Sequence, residues 1–206
     1  MNAIEKLTAL FEKFPGIGPR QARRFVLYLL STSQGTRSEL VTSIKDLGMH
    51  TGQCKRCFRW FMKTGAKNPG LCDICGSTRR DEHVLFVVEK DADIENVDRS
   101  GFRGLYFVLG GTVPLAAEEP EKHVRARQLL ERIDADGGKK ILKDLFLSVT
   151  ATTEGDHTRS ILSEKLRLAA EAFNFKISSL GRGLSTGSEL EYADPDTIAQ
   201  ALSSRQ

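Results

Sequence analysis

Nowhere does the sequence approach the roughly 18 consecutive apolar residues of a membrane helix, and its opening MNAIEKLTALFEKF lacks the apolar core and cleavage site of an export signal. These absences argue against a membrane-spanning or secreted protein, and the cytoplasm is the expected compartment. Cysteine is missing everywhere except between positions 54 and 75, where all four occur. In a chain without an export signal, that confinement argues against a disulfide framework and for a local metal site. Internal repeats and low-complexity tracts are also lacking. What remains is a globular chain of 206 residues with 40% hydrophobic content, enough for one ordinary core and one or two small appended modules.

The formal charge of +3 hides an asymmetry that appears when the chain is divided after His83. Residues 1 to 83 carry 14 Lys/Arg against 7 Asp/Glu, a net +7, while the remainder carries 16 against 20, a net −4. The basic surface therefore belongs to the N-terminal portion. Either it binds a polyanion or it is simply a solvated face.

Helical spacing is present at Ile4, Leu7, Leu10, Phe11 and Phe14, again at Ala22, Phe25, Val26, Leu29 and Leu30, and a third time at Leu40, Val41, Ile44 and Leu47. Residues 1 to 48 thus read as a small helical unit, followed directly by the cysteine module. From Val84 the texture changes to VLFVVE and LYFVL, then to a third apolar run at 145 to 149 and a short one at 175 to 178. Helical stretches at about 121 to 144 and 158 to 173 separate them, so the expectation is an α/β layered domain with a mainly parallel sheet. A last helix is expected at about 195 to 204, with Asp194 or Asp196 as its N-cap.

Three motifs carry chemistry. In FPGIGPRQARRF, glycines flank Ile17 and permit a tight turn that exposes amide N–H groups at the start of the second helix. Such an end favours a phosphate, and Arg20, Arg23 and Arg24 add positive charge to it. The pattern resembles the helix-hairpin-helix, a sequence-independent binder of the DNA backbone; a plain helix-helix turn with surface arginines is the alternative. Next, Cys54-Lys-Arg-Cys57 and Cys72-Asp-Ile-Cys75 form two CxxC knuckles 14 residues apart, the pattern of a four-cysteine zinc ribbon. Four thiolates close a tetrahedral shell around one Zn²⁺, which would be structural. Redox pairs or free buried thiols are the competing readings, and Phe58, Trp60 and Phe61 suit a mini-core better than a base-stacking platform.

The third motif begins with Glu89 at the end of VLFVVE, where an α/β sheet presents groups to a ligand crevice. A second stretch, LSVTATTEGD, follows another strand. Together they resemble the Toprim domain of topoisomerases, primases and some nucleases, in which a Glu and a later Asp-x-Asp pair hold Mg²⁺. The topoisomerase pattern is ATDPDREGE; here the two Asp positions hold Thr150 and Thr152. Neutral hydroxyls do not hold a hard dication as carboxylates do, so the expectation is an enzyme-like fold without catalysis. Glu89, Glu154 and Asp156 remain as a weak cation site or, better, a partner contact. The alternative is a metal-dependent Toprim nuclease or topoisomerase-like enzyme using them as replacement ligands.

The C-terminal GRGLSTGSELEYAD is a glycine-rich loop without the Gly-Lys-Ser/Thr of a P-loop. In order and spacing, however, FPGIGPRQARRF, the four cysteines, VVEK, LYFVLGGTVPL, TTEG and GRGLSTGSELEYAD resemble the RecR family of recombination mediators over almost the whole chain. That family's second Toprim motif is usually Asn-Pro-Thr, itself not acidic. A larger departure is the loop 115 to 120, Leu-Ala-Ala-Glu-Glu-Pro, where the family usually has Asp-Gly-Ile-Gly-Pro. The resemblance implies four segments: a helix-hairpin-helix unit at 1 to 52, a zinc finger at 53 to 80, a Toprim domain at 81 to 176 and a C-terminal motif and helix at 177 to 206. It also implies a homo-oligomeric clamp, a dimer or a tetramer ring. This clamp would meet DNA through Arg20 and Arg24, work with RecO and RecF to load recombinase on gapped DNA coated by single-strand-binding protein, and reside in the bacterial cytoplasm, on the nucleoid when bound.

Overall fold

A computed structural model describes residues 1–63, 70–137 and 141–180, together with 195, 197 and 198 near the C-terminus. The chain divides into two compact units, 1 to 51 and 52 to 206. The expected C-terminal helix, its N-cap candidates and the glycine-rich loop lie outside the described residues, apart from Pro195, Thr197 and Ile198, which are helical.

The first unit holds three helices, α1 (Ala3–Phe11), α2 (Pro19–Ser31) and α3 (Gln34–His50). A reciprocal cap starts α1: Glu5 N–H donates to Asn2 Oδ1 at 2.9 Å and Asn2 N–H donates to Glu5 Oε2 at 3.0 Å. Phe11 of α1 meets Phe25 of α2 edge to face, with centroids 5.7 Å apart. Only Ala22 and Val26 are buried in this unit, and Ile17, between the two glycines, is half-buried. The third helix forms as its spacing predicts, but its apolar stripe stays exposed. Leu40, Val41, Ile44 and Leu47 are 41, 52, 62 and 64% exposed, and α3 buries no residue.

The second unit opens with two short paired strands, β1 (Thr51–Gln53) and β2 (Trp60–Met62), that carry the first cysteine knuckle between them. Then come β3 (Asp81–Val88), α4 (Asp91–Arg99), β4 (Gly104–Val108), a 3₁₀ turn (Pro120–Lys122), α5 (Ala126–Gly137), β5 (Asp144–Ser148), α6 (Thr153–Phe173) and β6 (Lys176–Ser179). The four long strands form one parallel sheet in the order β4-β3-β5-β6, with Leu85 opposite both Leu105 and Leu145. Buried Leu129 and Ile133 of α5, Leu162 and Leu166 of α6 and Ile94 of α4 belong to the same core cluster as the strands.

One helix and two helix boundaries differ from the sequence expectation. Helix α4 is absent from that expectation because DADIENVDR offers only Ile94 and Val97 as an apolar signal; Lys90 N–H donating to Asp93 Oδ2 at 2.8 Å starts it. Helix α5 is shorter than 121 to 144, beginning after the 3₁₀ turn and last assigned at Gly137. Helix α6 begins at 153 and not at 158, because Thr152 caps it by accepting from Gly155 N–H at 3.1 Å.

Strand β4 sits at an edge of the sheet, yet all five of its residues are buried. The cysteine module covers that edge. Val108 N–H donates to the Cys57 carbonyl at 2.9 Å, Arg125 Nη1 donates to the Val108 carbonyl at 3.0 Å, and Arg132 Nη1 donates to the Tyr106 carbonyl at 2.7 Å. These three bonds satisfy edge groups that would otherwise need water or another strand. The module and the sheet consequently share one hydrophobic cluster, which runs from the four cysteines through Phe107 to α5.

Candidate metal centre and nucleic-acid interface

The four cysteines come from two tight turns. In the first, Phe58 N–H donates to the Cys54 carbonyl at 2.9 Å, and Phe58 itself takes φ of 62°, a left-handed conformation uncommon outside glycine. The Phe58 ring offsets that cost by packing edge to face on Phe107 at 5.4 Å and beneath the Arg125 guanidinium at 5.3 Å. In the second turn, Gly76 N–H donates to the Cys72 carbonyl at 2.9 Å. The turns bring Cys54, Cys57, Cys72 and Cys75 together, all buried, with every Sγ within 4.8 Å of the others. Four thiolates about 2.3 Å from a zinc ion stand roughly 3.8 Å apart, so the set fits a tetrahedral metal.

Backbone amides already face the sulfurs: Cys72 N–H donates to Cys54 Sγ and Cys75 N–H to Cys72 Sγ, each at 3.4 Å. Sulfur-to-sulfur hydrogen bonds hold the Cys54 thiol well below its ordinary range and push Cys57 and Cys75 above it. A bound metal would replace that division of protons with four thiolates. Beside the cluster lie two arginines that sequence reasoning missed. Arg132, with only 5% of its side chain exposed, pairs through Nε with Asp136 at 3.3 Å and donates to the Arg56 carbonyl at 3.0 Å, while its Nη2 is buried with no hydrogen-bond partner among the described residues. Arg56 pairs with Asp136 at 3.1 Å and Glu82 at 3.0 Å. The Arg132 charge works to lower the Cys75 thiol, against the stronger sulfur contacts. The clue in the sequence is an arginine on the same helical face as Leu129 and Ile133.

At the glycine turn, Gly16 has φ of +77° and Ile17 N–H donates to the Phe14 carbonyl at 3.1 Å, which reverses the chain between α1 and α2. Gly18 is the N-cap of α2 and supplies no side-chain cap, Pro19 takes the first helical position, and no described residue beyond the chain neighbours lies within 4 Å of where a Cβ at Gly16 or Gly18 would stand. The amides of this helix start are thus open to an incoming group. Arg20, Arg23 and Arg24 are exposed and, among the described residues, none is held in an ion pair.

The acidic strand end is arranged differently from a metal site. Glu89 is buried, with Lys90 Nζ 2.9 Å from its Oε1 and Thr150 N–H 3.5 Å from its Oε2. Burial pushes the Glu89 carboxyl up, and Lys90 and Thr150 outweigh it, so the group lies below its ordinary range. Thr150 and Thr152, at the positions of the topoisomerase aspartates, lie with hydroxyls 3.3 Å apart, and Thr152 serves as the cap of α6. Glu154 and Asp156 stand in the first turn of that helix, Glu154 exposed and Asp156 paired with Arg159. Among the described residues, the cysteines alone gather three or more potential ligands; Glu89, Glu154 and Asp156 are not drawn into such a group.

Comparison with known proteins adds an independent line. Residues 183–206 match the family model described as RecR, C-terminal. A protein of Rubrobacter xylanophilus named recombination protein RecR is 33% identical over 207 residues, covering 100% of this chain and 96% of that one. Proteins of the same name from Prochlorococcus marinus strain MIT 9301 and Rickettsia massiliae are 34 and 32% identical, covering 98 and 100% of this chain and 94 and 96% of their own lengths.

Proposed function

The chain belongs to the RecR family of recombination proteins, and on that premise we propose that it is a non-enzymatic mediator that binds DNA and assembles repair proteins on it. The observation that carries this reading is the open start of α2, without a side-chain cap, with three exposed arginines in its first turns, none in an ion pair with a described residue, an arrangement suited to backbone phosphates of any sequence. The metal is one structural zinc ion held by Cys54, Cys57, Cys72 and Cys75: soft thiolates select zinc over magnesium, and four of them leave no open position for a reacting water.

The strand end supports a role without catalysis. An ammonium stands against Glu89, and neutral threonines stand where Mg²⁺ chemistry needs carboxylates. Glu154 and Asp156 then serve as contacts for RecO- or RecF-type partners. The exposed apolar face of α3 supports a homo-oligomer, a dimer or a tetramer ring, acting as a clamp. In the bacterial cytoplasm, and on the nucleoid when bound, such a clamp would help load recombinase on gapped DNA coated by single-strand-binding protein.

The test uses purified full-length protein on gapped, coated DNA, with RecO-type partner present and native mass measured alongside. The expected result is a multimer that binds the DNA, accelerates recombinase loading and leaves labelled DNA intact in Mg²⁺ or Mn²⁺. Cleavage that disappears in Glu89→Gln would overturn the reading in favour of a Toprim nuclease. A monomer without DNA affinity would restrict the function to protein contacts.

A further inference from the structure

The four cysteines fit one metal, but their sulfurs are not alike. Cys54 Sγ accepts the Cys72 N–H and Cys72 Sγ accepts the Cys75 N–H, each at 3.4 Å, whereas no N–H of a described residue donates to Cys57 Sγ or Cys75 Sγ. A hydrogen bond draws charge off a thiolate and lowers its nucleophilicity, so in a loaded site Cys57 and Cys75 keep the more reactive sulfurs. Arg132 does not make up the difference. It is occupied by Asp136 and by the Arg56 and Tyr106 carbonyls, and its remaining Nη2 reaches no acceptor among the described residues.

Access divides that pair. Cys57 is 1% exposed, as are Cys54 and Cys72, while Cys75 is 6% exposed and is the one cysteine that lines a cavity of about 580 Å³. The other walls of this cavity include Ser77 and Thr78, which follow the second knuckle, and Arg80, Asp81 and Glu82 at the start of β3. Arg80 is held by Asp98 at 2.6 Å, Asp81 meets His83 Nδ1 at 2.8 Å, and Glu82 is held by Arg56 at 3.0 Å. These walls offer hydroxyls and paired charges, with no unpaired guanidinium to recruit an anion. Four thiolates on one divalent ion would leave a net negative charge behind them. The approach to Cys75 therefore favours a small uncharged reagent over an anionic one.

We propose that Cys75 is the reactive ligand of the zinc centre, modified through this cavity by small uncharged alkylating electrophiles. In the step, the Cys75 thiolate forms the new S–C bond with its own electron pair, and the leaving group departs as an anion with the pair of the bond that breaks. The thioether that results has lost the charge with which the thiolate held the metal. One of four ligands is then gone, and the ribbon that covers β4 is loosened at its second knuckle. The proposal rests on the structural-zinc reading above and deepens it by naming the ligand that yields first.

The experiment treats full-length, zinc-loaded protein with limiting iodoacetamide, follows released zinc with a chromogenic chelator, and locates the label by peptide mass spectrometry on singly labelled molecules at early times. The expected result is label on Cys75 at least about fivefold above any other cysteine, at a rate proportional to iodoacetamide, with one zinc released per molecule modified. Iodoacetate should be disfavoured relative to its rate on the unfolded chain, and the absence of any such bias would overturn the preference for an uncharged reagent. Cys75→His, which keeps a four-ligand zinc set, should hold the metal and lose the fast label. Thr78→Trp, which fills the cavity, should slow labelling with zinc still bound. Even labelling of the four cysteines, or first labelling of Cys57, would overturn the proposal. So would a rate independent of iodoacetamide, because it would report spontaneous loss of zinc. A chain that takes up no zinc would remove the zinc reading along with the proposal, whereas a zinc-loaded chain with an inert Cys75 would leave that reading standing. The order of labelling is read on the parent protein, so it decides the matter even if a variant fails to fold.

Discussion

Two apolar surfaces of this chain meet opposite fates. Strand β4, at the edge of its sheet, is completely buried, because the cysteine module and the side chains of Arg125 and Arg132 satisfy its outer edge. Helix α3 carries an apolar stripe as well, and buries nothing. An edge strand carries unpaired backbone groups that are costly to leave uncovered, whereas the side chains of a helix face can await another surface without any broken hydrogen bond. The second unit is therefore closed around its cysteine module, and the first leaves an apolar helix face exposed. The difference separates what holds the molecule together from what it offers to others.

The largest expected effect is on the closed side. Removing a bound metal with a chelator should forfeit apparent stabilisation on the order of 10 kcal/mol and unfold the ribbon. Amide hydrogen exchange should then show lost protection in β4 as well as around the cysteines, while α1 and α2 remain protected. Retained protection in β4 would mean that the ribbon is an independent appendage. Next in size, Arg132→Met removes the cation that joins Asp136, the Arg56 carbonyl and the Tyr106 carbonyl, and should cost about 3 kcal/mol in urea unfolding and speed zinc release to a chromogenic chelator.

A smaller, pH-dependent effect is expected at Asp98. Hydrogen bonds from Arg80, at 2.6 Å, and from the Tyr106 hydroxyl, at 3.1 Å, hold its carboxyl below the ordinary range, and burial with the neighbouring carboxylate raises Tyr106 to about 12. A depressed carboxyl contributes stability above its unfolded pKa, near 3.9, and loses it as the pH falls through the folded value. Asp98→Asn should therefore cost about 1 kcal/mol at pH 7, discounted for the exposure of Asp98, and the deficit should shrink in urea titrations below about pH 4. The smallest effect on stability, and the sharpest on assembly, is expected for Ile44→Asp on the open side. It should leave the unfolding midpoint of the sheet unit within about 0.5 kcal/mol of the parent and lower the native mass. An unchanged mass would detach α3 from oligomer formation.

Much of this was legible in the sequence because the signals were local. Two CxxC knuckles, apolar runs of strand length and a Pro-Gly-Ile-Gly-Pro turn each declare their own geometry within a dozen residues. Helix α4 was not legible, since its signal is an acidic cap and two apolar residues, nor was the start of α6, where Thr152 and Gly155 read as loop until the cap is seen. The burial of Arg132 and the joining of ribbon to β4 depend on contacts between residues 57 and 108, and between 56, 106 and 132, which no local pattern encodes. Trp60 illustrates the reverse error: its type suggested a core, and only strand alternation turned it outward.

The central claim, that the open start of α2 binds the DNA backbone, is tested most directly by DNA affinity across a salt series for the parent protein and for Arg20→Glu/Arg24→Glu. The account predicts a steep fall of log affinity with log salt in the parent. In the double variant, binding should be far weaker at low salt, with a slope shallower by roughly 2 for the two lost phosphate contacts. An affinity and slope indistinguishable from the parent's would contradict it.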